Sequence, residues 1–155
     1  MRRRRKGFSF IELLVVMIVI GILAGLALLK YIDLKERAVS ARATTDLEAV
    51  RLAAYSAWYE TGTWPAEAGP GVLPAGMTPY LSSGFSFAKP EYTLDWENFA
   101  PPGGGPSGGM QLGIVLSSSN QRLQRVLEQT LGNKGPFFII GNTITLVIVG
   151  SDGKI

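Results

Sequence analysis

Residues 8–29, FSFIELLVVMIVIGILAGLALL, form one apolar run whose only polar side chains are Ser9 and Glu12. A helix of that length spans the roughly 30 Å of a bilayer's hydrocarbon core. Arg2, Arg3, Arg4, Arg5 and Lys6 stand just before it. Cations on one flank of a span stay on the cytoplasmic side, so the expected topology is N-terminus in, C-terminus out. A cleaved secretory signal fits poorly, because the run is long and ILAGLALLKYID offers no A-x-A site. A plain membrane tether is the remaining simple reading, and the flanking charges argue against a core helix of a soluble protein.

The same five cations account for the basic character of the chain. They are five of its fifteen Lys and Arg; without them ten basic residues face twelve acidic ones, a net charge of −2. No nucleic-acid partner is therefore expected. With 155 residues and 46% hydrophobic content, the chain can build one modest head beside the span. It has no cysteine and no histidine. That excludes Cys/His zinc sites, thiolate nucleophiles, histidine-based triads and disulfide staples.

Glu12 is the anomaly in the run. A carboxylate costs about 2.5–3.5 kcal/mol at mid-membrane and less near the interface. Snorkelling to the headgroups would reduce that cost. A dedicated opposite charge would remove it, and an intramembrane acid points to function by default.

The string Lys6-Gly7-Phe8-Ser9-Phe10-Ile11-Glu12-Leu13-Leu14-Val15-Val16 resembles the type IV prepilin signature of type IV pilins, minor pilins and type II secretion pseudopilins. The resemblance implies cleavage by prepilin peptidase between Gly7 and Phe8, and N-methylation of the new Phe8 terminus. It also implies that Glu12 meets the α-amine of a neighbouring subunit's Phe8 during assembly. Two desolvated charges would then satisfy each other, and a mis-registered subunit would leave both unpaired. Gly21 and Gly25 form a GxxxG, which allows close helix packing. Many family members carry a proline near the end of this run, where this chain has Leu28 and Leu29. The implied partners are the peptidase, other pilin or pseudopilin subunits and an inner-membrane assembly platform. The implied location is the bacterial inner membrane, then a pilus or pseudopilus.

Nothing breaks helical propensity until Thr61-Gly62-Thr63-Trp64-Pro65, so one helix is expected over residues 8–59, about 77 Å at 1.5 Å per residue. Val39, Ala43, Leu47, Val50, Ala54 and Ala57 fall on one face, with Lys35, Arg42, Asp46 and Glu60 away from it. Phe85-Ser86-Phe87 and Tyr92-Thr93-Leu94-Asp95-Trp96 alternate as short strands. The 101–109 stretch, PPGGGPSGG, reads as a flexible loop. Residues 111–116 read as a strand. Ser117-Ser118-Ser119-Asn120 then caps a short amphipathic helix ending at Gly132. Residues 137–140 and 143–149 flank Gly141-Asn142 as a hairpin, with Ile144, Leu146 and Ile148 inward and Thr143, Thr145 and Val147 outward.

The expected fold is α+β: one long N-terminal helix, its first half in the membrane, packed on a small antiparallel sheet in a pilin-like head. Its expected divisions are a leader over 1–7, a membrane and assembly helix over 8–29, an amphipathic half over 30–60 and a head over 61–155. Asp95, Glu97 and Asn98 are weak calcium candidates, to which Asp152 could add another oxygen ligand, but their spacing fits no EF-hand, so no metal and no cofactor is expected. Strand alternation is expected to send Asp95 and Glu97 to opposite faces, which leaves no paired-carboxylate chemistry and no enzyme. The expected function is a structural filament subunit, a minor pilin or pseudopilin. A monomeric membrane-anchored binding domain is the alternative.

Overall fold

The computed structural model describes residues 7–99, 110–132 and 135–150. The anticipated leader lies outside them except for Gly7, as do the 101–109 loop and Asp152. Helix α1 covers Phe10–Thr61, and the chain forms two compact units that divide within it, between Lys35 and Glu36.

In the first unit α1 is apolar all round from Leu13 to Leu29 and buried nowhere; from Phe10 to Lys35 only Ile32 is even half-buried. Its start is fixed locally. Ser9 O accepts from Glu12 N at 3.1 Å and Leu13 N at 3.3 Å, while Ser9 N–H donates to Glu12 Oε2 at 2.8 Å. This is the glutamate half of a capping box, and Ser9-Phe10-Ile11-Glu12 has its S-x-x-E spacing.

The second unit holds the rest of α1 and a four-stranded antiparallel sheet. Its strands are β1 (Thr93–Asn98), β2 (Met110–Ser117), β3 (Phe137–Ile140) and β4 (Thr143–Gly150), in the order β1-β2-β4-β3. A second helix, α2 (Gln121–Leu131), connects β2 to the β3–β4 hairpin, and a 3-10 turn lies at Ala75–Tyr80. The register sets Leu94 opposite Leu116 and Trp96 opposite Ile114, then Leu116 opposite Ile144 and Ile114 opposite Leu146. These inner-face residues form one core with Ala43, Leu47, Val50, Ala53 and Ala54 of α1 and Leu123, Leu127 and Leu131 of α2. The anticipated stripe on α1 is therefore the core face.

That face is broader than the stripe. Ser40, Thr44, Asp46 and Ala53 are buried as well, which corrects the expectation that Asp46 points away. Three residues at 100° each leave Asp46 only about 60° from Ala43, on the flank of the buried face. It is tolerated there because Tyr92 Oη donates to its Oδ2 at 2.6 Å and Lys89 Nζ lies 3.4 Å from the same oxygen. Burial, then the bond to Asp46, raises the Tyr92 hydroxyl pKa.

α1 ends two residues beyond the anticipated Tyr59. Gly62 takes φ 71° and its N–H returns to Trp58 O at 2.8 Å, a left-handed stop that glycine adopts without strain. Phe85-Ser86-Phe87 is not a strand. Only Leu94 N to Phe87 O and an isolated Ala88–Thr93 bridge join this segment to β1, and the two rings pack edge-on at 6.1 Å. The later elements match expectation. Asn120 Oδ1 accepts from Arg122 N and Leu123 N, and Gly141 (φ 58°) turns the β3–β4 hairpin. Thr145 faces outward from β4 but is only 4% exposed.

Candidate functional site

The residues singled out by the signature lie together at the start of α1. Gly7 and Phe8 precede the helix, and Phe8 is 83% exposed. Glu12 follows on the first turn with one carboxylate oxygen already holding Ser9 N–H. That capping bond is legible in the Ser9-to-Glu12 spacing. Gly21 and Gly25 are one turn apart, and a Cβ built on either would meet nothing within 4 Å. The helix is long and apolar enough to cross a membrane.

The head contains the weak calcium candidates, and the sheet separates them. Asn98 Nδ2 donates to Pro65 O at 2.9 Å, beside the inner-face Trp96, whose Nε1 donates to the same oxygen at 2.9 Å. Asp95 and Glu97 occupy the outer face. The expectation that they oppose each other is corrected: the pleat separates adjacent residues and returns those two apart to one face. Asp95 is 7% exposed, and its Oδ1 has no hydrogen-bond partner among the described residues. Burial, then repulsion from Asp95 and Glu67, pushes the Glu97 carboxyl up to about 6. Burial first, then Glu67, also raises Asp95. Among the described residues no group of three Asp, Glu, His or Cys side chains could hold a metal ion.

A profile of the prokaryotic N-terminal methylation motif matches residues 2–28. The type IV major alpha-pilin of Moraxella bovis is 28% identical over 141 residues, covering 91% of this chain and 77% of that protein. Two fimbrial proteins of Pseudomonas aeruginosa are each 41% identical over 58 residues, which is 37% of this chain and 38% of theirs. This protein is type IV prepilin-like.

No solved structure matches the prepilin-like chain. Its α+β architecture of one long N-terminal helix and a small antiparallel sheet is pilin-like. The methylation motif and the apolar helix coincide: residues 2–28 cover Glu12, Gly21, Gly25 and most of the exposed apolar surface. An apolar helix left exposed among the described residues fits residence first in a membrane and then in a pilus.

Proposed function

We propose that the chain is a filament subunit cut between Gly7 and Phe8 by prepilin peptidase and methylated on Phe8. The head is exported, with the N-terminus held cytoplasmic by Arg2 to Lys6. The carrying observation is the union of the methylation motif with a helix exposed along its whole first half. Glu12 guides assembly by pairing with the Phe8 amine of a neighbouring subunit, and the open flank at Gly21 and Gly25 lets another helix approach. The Ser9 cap supports this role, because it holds the Glu12 carboxylate at the end of the helix, beside the residue that bears the new amine. The same cap offsets part of the cost of the carboxylate while the subunit waits in lipid.

Within the family we assign a minor pilin or pseudopilin. The absence of cysteine removes the C-terminal disulfide loop of many pilins, and the proline- and glycine-rich 101–109 stretch suits a low-copy subunit. The Moraxella bovis relative, a major alpha-pilin, weighs on the other side.

Mass spectrometry of the membrane fraction tests processing: a chain beginning at methylated Phe8 is expected, and an intact leader in cells with active peptidase indicates a simple tether. Glu12→Val tests assembly: membrane levels hold or rise while incorporation into filaments falls at least about tenfold, the equivalent of about 1.4 kcal/mol. Normal incorporation of the valine variant would remove the pairing role.

A further inference from the structure

The outer face of β1 carries a buried carboxylate that the proposed assembly role does not involve. Asp95 Oδ1 is buried without a donor among the described residues. An ionised carboxylate in that position would bear a desolvation cost with nothing to offset it. Its neighbour on the same face is Glu97, two residues along the strand. The β2 positions opposite them, Val115 and Gly113, have no titratable side chain. Among the described residues the third charge felt at the pair is Glu67, which is also negative.

Glu67 belongs to a segment fastened along the free edge of β1. Pro65 O accepts from Trp96 Nε1 and Asn98 Nδ2, each at 2.9 Å, and Gly71 N–H donates to Leu94 O at 2.8 Å. β1 pairs with β2 on its other side, and on this edge the segment's backbone bond at Leu94 O stands beside the bond from Leu94 N to Phe87 O.

We propose that Asp95 and Glu97 share one proton, carried on Glu97 and donated to Asp95 Oδ1, and that this proton is a pH-sensitive catch holding the 65–71 segment on the edge of β1. Two carboxyls in one desolvated site favour a single shared proton over two charges. The Glu97 carboxyl is raised from 4.5 to about 6 in the fold. Its contribution is therefore complete below about 4.5 and is lost as pH rises through about 6. Above that, Asp95, Glu97 and Glu67 are all charged and the segment is pushed from the strand.

The test uses the full chain in detergent micelles, followed by NMR from pH 4.5 to 7.5. The Glu97 side-chain carboxyl carbon should titrate near 6. The protection factor of the Gly71 amide should fall several-fold, up to about tenfold, across the same midpoint, with the Trp96 indole proton shifting in step. Glu97→Gln supplies a permanent donor to Asp95 Oδ1, so its Gly71 protection should stay high and flat with pH. Glu67→Gln should lower the midpoint, because Glu67 helps to raise the Glu97 carboxyl, and should reduce the fall. An ordinary Glu97 titration near 4.5 overturns the proposal, as does pH-independent protection of Gly71. If millimolar calcium at pH 7.5 restored Gly71 protection in the wild type and not in Glu97→Gln, a cation rather than a proton would fill the site, and the catch would be wrong.

Discussion

The two parts of α1 on either side of Lys35 solve opposite problems with one secondary structure. As far as Leu29, leucine, isoleucine and valine cover every side of the helix, and Phe10, Met17 and Leu29 remain 82%, 72% and 63% exposed. After it, large apolar residues give way to alanine, serine and threonine on one face. Ala43, Val50 and Ala54 there are 0% exposed. A helix that is apolar all round satisfies its backbone internally but leaves its side chains needing lipid or other helices. A helix with a small-residue face finds its partner in its own chain. Side-chain size and distribution, rather than hydrophobicity alone, separate the half that awaits a partner from the half that has one.

Substitutions can break this contrast. Trp96→Ala should have the largest effect, destabilising the head by about 3–5 kcal/mol in denaturant titrations, because it removes a fully buried ring and the donor to Pro65 O. Asp46→Ala should follow at about 2–3 kcal/mol, leaving the Tyr92 hydroxyl and the Lys89 ammonium without their shared acceptor. Asp46→Asn, which keeps an acceptor oxygen, should lose less than the alanine variant. Leu23→Ala should change head stability by less than about 0.5 kcal/mol, since Leu23 is 59% exposed in the other unit. All three tryptophans, Trp58, Trp64 and Trp96, lie beyond Lys35, so their fluorescence reports the head alone. A Leu23→Ala loss comparable to that of Asp46→Ala would abolish the distinction between the halves.

Much of the fold was legible because its signals are local. Asn120 before QRLQRVLEQTL, Gly141-Asn142 between two β-branched runs, and Gly62 after the long helix each act within a few residues. The boundaries they imply lie close to the observed ones. The failures share a different cause. Asp46 reads as a solvent-facing charge until Tyr92, 46 residues away in sequence, donates to it. Phe85 and Phe87 alternate like a strand, yet only Phe87 O bonds to β1, through Leu94 N, and their rings pack on each other. The outer-face pairing of Asp95 with Glu97 was available from the pleat itself and was misassigned. What no pattern could have supplied is the burial of Asp95, which depends on the segments gathered around β1.

By itself the sequence determined the prepilin signature, the apolar run with its single acid and the chemistry of each turn, because these depend on residue identity at short spacing. Tertiary structure alone decided which charges are buried, that Asn98 turns to Pro65 while Asp95 and Glu97 share the outer face, and that a raised Glu97 carboxyl stands beside an oxygen without a donor. The physical reason is that desolvation and repulsion depend on distances between groups far apart in the chain, and only folding sets those distances.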